Sequence, residues 1–143
     1  MTTRREARRT AIEVLYQADV TGTDADDVLD GWRDAGRSLP PFSAELVRGT
    51  TEHLPSIDLL LEEHSEEWTV ARMAAVDRTI LRLAVEELLY RDDVPDSVAI
   101  NEAVEAANEL STDDSGRFVN GLLGRIARER GPAATGEGTR LER

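Results

Sequence analysis

Residues 75–90 read AVDRTILRLAVEELLY, and this stretch decides the fold class. Its apolar residues form two stripes at helical spacing, one containing Ile80 and the other containing Leu81. A helix that is apolar on two faces must be covered on several sides. The stretch therefore predicts a central helix surrounded by other helices.

Amphipathic patterns on both sides of this stretch predict an all-α fold of about six or seven helices. Pro55 is expected to kink or divide the helix before it, because proline removes one backbone donor and crowds the preceding turn. Ser43, Asp96, and either Asp114 or Ser115 are the expected N-caps, since their side-chain oxygens can accept from free backbone N–H groups. The predicted helices cover about residues 4–20, 24–34, 43–54, 57–64, 75–90, 96–111 and 115–130.

The last predicted helix contains two features that stability alone does not explain. Gly121 follows Asn120 inside an apolar helix, where glycine costs about 1 kcal/mol relative to alanine, so we expect a close helix–helix approach there. Phe118 lies beside Arg117 and on the same face as Leu122. It is either a core residue or a partly exposed ring on which an unpaired base can stack, and we expect partial exposure.

Length and composition limit the remaining possibilities. A chain of 143 residues is the size of one domain, and the absence of cysteine excludes disulfides and thiolate metal sites. No apolar run approaches the about 20 residues that a membrane span requires, and residues 1–10 lack the apolar core of a signal peptide. We therefore expect a cytoplasmic protein, with a disordered tail at residues 131–143.

The charge is strongly negative overall, but its distribution is uneven. The net charge is −12, and all 17 basic residues are arginines. Arg4, Arg5, Arg8 and Arg9 lie within one arc of the first predicted helix, near its N-terminus, where cations oppose the helix dipole. This arginine face is either a phosphate-binding surface or a solvated helix end.

Residue types that carry catalysis are scarce. The only histidines, His53 and His64, are not spaced as metal ligands on one helix turn, and no glycine-rich phosphate loop or nucleophile motif is present. We expect no metal, no cofactor and no enzymatic activity.

Four stretches, in this order, resemble the NusB family of bacterial transcription antitermination factors. The resemblance covers about residues 4–128, and FVNGLL after an acidic turn with serine is its most specific part. The stretches are RREARRTAIEVLYQAD (4–19), WTVARMAAVDRTILRLAVEELL (68–89), DVPDSVAINEAVEAANELS (93–111) and DDSGRFVNGLLGRI (113–126).

The resemblance implies two small packed helical bundles in one RNA-binding unit over residues 1–130, with a possible subdivision near residues 64–70. It implies binding of single-stranded boxA RNA of ribosomal RNA leader transcripts, together with NusE, a small-subunit ribosomal protein, in a complex that modifies RNA polymerase. By position, Asp77 lines the same groove as the implied RNA-binding residues, which are Arg4, Arg5, Arg8, Arg78, Arg82, Asp114, Arg117 and Phe118.

Other possibilities stay open from the sequence. The chain could be a stand-alone helical RNA-binding or dimerisation module, related to the N-terminal domain of ribosomal RNA methyltransferases. The free protein could be a monomer or a homodimer. Residues 92–114 contain eight acids and no basic residue, which is either a solvated face or a surface that steers a basic partner such as NusE.

Overall fold

The computed structural model describes residues 2–66 and 68–130, and this part of the chain forms seven α-helices and no strand. A single 3-10 turn, Val70–Arg72, precedes the fifth helix. The all-α prediction is confirmed. The helices are α1 (Arg4–Thr21), α2 (Ala25–Asp34), α3 (Pro41–Glu52), α4 (Leu54–His64), α5 (Ala75–Tyr90), α6 (Asp96–Leu110) and α7 (Asp113–Arg130).

Helix α5 is the centre of the molecule, as its two apolar stripes predict. It packs against α1 and α3, which also contact each other, and against α4, α6 and α7, of which α7 contacts the other two. Ile80, Leu81 and Leu88 are almost completely buried within one continuous apolar cluster. The two groups that share α5 are the two small helical bundles expected from the sequence, one of them built mainly by α1–α3. The predicted subdivision near residues 64–70 stays a prediction, and the predicted tail lies outside the described residues.

The boundary between α3 and α4 follows from Pro55. The chain divides at His53, and Pro55 lies in the first turn of α4, where its missing N–H costs nothing. Across the described residues, no helix combines the length and apolarity needed to cross a membrane.

Three expected N-caps were wrong. Helix α3 begins two residues before Ser43, whose buried hydroxyl instead donates to the Ala7 carbonyl at 2.7 Å and joins α3 to α1. Asp96 is already inside α6, where Pro95 is the N-cap. At α7 the Thr112 hydroxyl accepts from the Ser115 backbone N–H at 2.9 Å.

The close helix–helix approach lies at Gly116 rather than at Gly121. A Cβ atom at Gly116 would fall 1.9 Å from the Asn108 side-chain oxygen on α6, whereas one at Gly121 would meet only Arg125 of its own helix at 3.6 Å. The expectation for Gly121 was therefore wrong. Gly116 lets the start of α7 press against α6, and this contact fixes the position of the residues that follow it.

Candidate nucleic-acid interface

A cleft of about 370 Å³ opens where the start of α7 meets the 3-10 turn and the start of α5. Aromatic, cationic and acidic side chains face one another across it. Its walls are formed by Trp68, Arg72, Met73, Ala74, Asp77, Asp114, Ser115 and Phe118. Two of the eight predicted RNA-binding residues, Asp114 and Phe118, are among them, and so is Asp77. We call this site the α7 cleft.

Phe118 lies between core and solvent. Its side chain packs against the apolar cluster but is only partly buried, as expected from the sequence. Trp68, which also lines the cleft, is 47% exposed. Two aromatic side chains that are open to solvent in one cleft provide faces on which a planar ring can stack.

Asp77 contributes an oxygen that can accept a hydrogen bond. Its Oδ2 accepts from the Ser115 hydroxyl at 2.9 Å, which fixes the carboxylate against the start of α7. Its Oδ1 is buried and has no hydrogen-bond partner within the described residues. Leaving a buried acceptor unpaired costs about 1–3 kcal/mol, so a ligand donor that reached this oxygen after a side-chain movement would recover that free energy.

Arg117 and Asp114 lie on the outer rim of the cleft. Both side chains are largely exposed, and they form an ion pair with each other along the first turn of α7. Arg117 can therefore reach a ligand outside the cleft without leaving a buried charge unpaired.

Two arginines of α1 are exposed, as the predicted arginine face requires. Arg4 pairs with Asp93 at 2.8 Å and lies over the Phe42 ring at 4.2 Å. Arg5 donates two hydrogen bonds to Glu102 of α6, at 3.2 and 2.9 Å, and pairs with Glu105 at 2.9 Å. These contacts keep both guanidinium groups ordered at the surface.

Arg8 does not belong to this exposed face. It is 7% exposed and donates three hydrogen bonds of 2.8–3.0 Å to the buried Glu87 of α5. The expectation of an exposed Arg8 was wrong because it lies on the side of α1 that packs against α5. Arg9, the remaining member of the predicted face, is partly exposed and pairs with Glu109 of α6.

The predicted residues Arg78 and Arg82 lie away from the α7 cleft walls. Arg78 donates to Asp19 at 2.7 Å and to the Val70 and Met73 carbonyls at 3.1 and 3.2 Å, so it ties α1 to the 3-10 turn. Arg82 pairs with Asp58 at 2.8 Å and lines a different cleft. Of the three residues expected from α5, the α7 cleft includes only Asp77.

The ion pairs with arginines change the pKa values of acidic residues in α6 and in the short segment before it. The pKa of Glu102 is lowered, first by its hydrogen bond from Arg5, and the same hydrogen bond raises the pKa of Arg5. The pKa of Asp93 falls to about 2, first because Arg4 donates to it, with Arg91 adding a second hydrogen bond. These carboxylates are therefore ionised at neutral pH.

Sequence reasoning missed Trp68 and Arg72 as cleft residues. Both lie in the short link between α4 and α5, where no helical period assigns a side chain to a face. The only signal was an aromatic residue and an arginine four positions apart in a link.

Within the described residues, no group of three or more His, Asp or Glu side chains is placed to hold a metal ion.

Comparisons with known proteins agree on one family. The NusB family model matches residues 5–128. The transcription antitermination protein NusB of Saccharopolyspora erythraea is 56% identical over 131 residues, covering 89% of this chain and 88% of that protein.

Solved structures give the same answer. The T. maritima NusB structure superimposes with a TM-score of 0.82 at 36% identity, over 94% of this chain and 96% of that one. A crystal structure of the antitermination factors NusB and NusE with double-stranded RNA gives a TM-score of 0.78 at 26% identity, over 88% and 96%. The chain belongs to the NusB family.

Proposed function

We propose that this protein is a transcription antitermination factor that binds the boxA element of ribosomal RNA leader transcripts together with NusE. Membership of the NusB family supports the role. The observation that carries RNA recognition is the α7 cleft, which Phe118 and Trp68 line together with the Asp77 carboxylate.

In this proposal an unpaired base enters the α7 cleft and stacks on Phe118. An exocyclic amine or ring N–H of that base donates to the Asp77 carboxylate after a side-chain movement that uncovers Oδ1. This hydrogen bond would supply base selectivity, because phosphate contacts carry no sequence information. Arg117 binds a phosphate next to the cleft. Arg5 lies near the other end of α5, because Arg8 pairs with Glu87 there, and it binds a phosphate further along the RNA. Arg8, Arg78 and Arg82 act indirectly, by holding α1, α5 and the 3-10 turn in place through buried or half-buried ion pairs.

The cleft favours single-stranded RNA. A paired base presents only its groove edge and has both faces covered by its neighbours, so it cannot stack on Phe118. The related complex contains double-stranded RNA, and a duplex of the same sequence is therefore the informative competitor.

NusE is the proposed protein partner, and the pair would act within the antitermination complex on RNA polymerase. Several acids of residues 92–114 are already paired with arginines: Asp93, Asp96, Glu102, Glu105, Glu109 and Asp114. This pairing with arginines reduces the negative electrostatic potential that residues 92–114 alone can present to a basic partner. Salt-dependent association with NusE stays a prediction that draws mainly on the net charge of −12.

The same role implies a cytoplasmic protein without enzymatic activity, metal or cofactor. An antitermination factor acts by binding, and its RNA and polymerase partners are in the bacterial cytoplasm. No chemical step is required of any residue described above.

A binding titration tests the function. Fluorescently labelled boxA RNA, a scrambled RNA of equal length and a boxA duplex are titrated with the protein, with NusE and with both. We expect the pair to bind boxA more tightly than either protein alone, and to bind the scrambled RNA and the duplex more weakly. Equal affinity for all three RNAs would contradict the proposal and favour a dimerisation module, which sedimentation of the free protein would then reveal.

A further inference from the structure

Three glutamates of α6 follow the arginine face along its length. Glu102 and Glu105 both contact the Arg5 guanidinium at 2.9 Å, and Glu109 pairs with Arg9 one turn further along α1. The three glutamates lie at positions i, i+3 and i+7 of one helix, so they share a face. We call Glu102, Glu105 and Glu109 the α6 carboxylates.

Stability gives little reason for these pairs. The Arg5 side chain is 50% exposed, and those of Glu105 and Glu109 are 45% and 65% exposed, whereas Glu102 and Arg9 are less exposed at 17% and 22%. Ion pairs with an exposed partner contribute little to folding, because water screens their attraction in the folded protein and fixing two long side chains costs conformational entropy. These pairs join α1 to α6, whereas α1 is already held in the core by apolar packing and by the buried Arg8–Glu87 pair with α5.

The contacts do resemble those of a bound phosphodiester. A carboxylate offers arginine two oxygens in the same planar, bidentate arrangement that a phosphate offers. Glu102 receives two parallel hydrogen bonds from Arg5 Nε and Nη2 in this manner. An RNA phosphate that binds Arg5 must therefore replace a ligand already in position.

We propose that the α6 carboxylates are intramolecular competitors of RNA phosphate that set the affinity of the arginine face. This inference rests on the proposed function, since it concerns the same RNA site. Each phosphate that reaches Arg5 or Arg9 releases a carboxylate into solvent. The exchange lowers the phosphate-dependent part of the affinity for every RNA. An RNA whose base also binds in the α7 cleft keeps a higher total affinity than one that binds through phosphates alone.

The competition has a signature in salt dependence. A phosphate that pairs with a free arginine releases a condensed counterion, whereas a carboxylate freed by the exchange attracts a cation back. The two effects offset each other in the parent protein. Removing the carboxylate charge should steepen the slope of log affinity against log salt by up to about 0.7 per arginine freed.

The test variant is Glu102→Gln with Glu105→Gln, measured with boxA and scrambled RNA at several salt concentrations. Glutamine keeps the size and helix propensity of glutamate. The matched control is Glu52→Gln with Glu63→Gln, two exposed glutamates of α3 and α4 with no ion pair to any described residue. We expect the α6 variant to bind both RNAs about three- to tenfold more tightly, with a steeper salt slope, and the control to change by less than about twofold.

Repeating both variants in an Arg5→Ala background separates competition from general charge. The gain must fall to the control level there, because no guanidinium remains at that position to be freed. A gain equal to the control in the parent background, or a gain that survives Arg5→Ala, would overturn the inference. Circular dichroism melting of every variant confirms that the compared proteins are folded.

Failure of the proposed function gives a different pattern. The parent would then bind boxA and scrambled RNA equally, and Phe118→Ala would change neither. Failure of the inference alone leaves the boxA preference of the parent intact and leaves the α6 variant indistinguishable from its control. Absence of RNA binding by both parent and variant would overturn both.

Discussion

Arg8 and Arg5 lie three residues apart on α1, yet they belong to different parts of the molecule. Arg8 is enclosed between α1 and α5 and bound to the buried Glu87, whereas Arg5 is half exposed and bound to Glu102 and Glu105. Both arginines have acidic partners at similar distances. The comparison shows that ion pairing does not distinguish a residue that holds the fold from one available to a ligand, whereas burial does.

The largest expected effect is on stability, from Arg8→Ala. The substitution leaves the Glu87 carboxylate buried without a partner, which should lower the free energy of unfolding by about 3–5 kcal/mol. The melting temperature should fall by more than about ten degrees in a domain of this size. Calorimetry of Arg8→Ala beside Arg8→Met with Glu87→Leu checks this, since the double variant removes both charges and should recover most of the loss. A melting temperature within a few degrees of the parent would show that the interface tolerates the lone carboxylate.

The next effect is on RNA binding at the α7 cleft. Phe118→Ala should weaken boxA binding at least about tenfold, since a stacked base contributes roughly 1–3 kcal/mol. Because Phe118 is only partly buried, the melting temperature should stay within a few degrees of the parent. Phe118→Leu keeps an apolar side chain without the aromatic face and should bind nearly as weakly as alanine. If Phe118→Leu binds like the parent, the residue acts by packing and not by stacking.

A smaller effect is expected from Arg5→Ala. Loss of one phosphate contact should weaken RNA binding about two- to fivefold but change the salt slope little, because in the parent each carboxylate freed from Arg5 offsets the counterion that the phosphate releases. The free energy of unfolding should change little, because the Arg5 guanidinium is exposed. Arg33→Ala is the control, since Arg33 forms an exposed pair with Asp30 on α2. Equal effects of the two substitutions on RNA affinity would reduce the arginine face to a solvated helix end.

The smallest effect concerns acid stability through Asp93. Its pKa of about 2 in the folded protein lies below the ordinary value of 3.8, so its ionised form stabilises the fold above about pH 4. This contribution is lost as the pH falls from about 4 towards 2. Asp93 is largely exposed, so the contribution should stay below about 1 kcal/mol. Urea titrations at pH 5 and pH 3 should show a smaller acid-induced loss of stability for Arg4→Ala than for the parent.

Periodicity predicted most of the fold because burial acts on whole helix faces. The stripes of 75–90 placed α5 at the centre, and Pro55 marked the division of α3 from α4. Helix starts were less predictable, because Ser43 can cap a helix or donate to another one, and only the packing of α3 on α1 decides which.

The site was predictable only in part. The position of Phe118 at the start of a helix suggested a partly exposed ring, and the structure confirms that exposure. Burial of Arg8 depends on Glu87, 79 residues away, and no local pattern carries that information. Likewise, Trp68 reaches the α7 cleft only because the 3-10 turn brings the link beside α7.

The two tryptophans give the protein separate internal fluorophores. Trp32 is 6% exposed, with Arg37 over its ring at 3.4 Å, whereas Trp68 is half exposed on the wall of the α7 cleft. Emission from Trp68 should therefore be red-shifted and quenched by a base that stacks nearby, while Trp32 reports unfolding of the first helices. A Trp32→Phe variant would isolate the cleft signal, so that ligand occupancy and unfolding could be followed without any label.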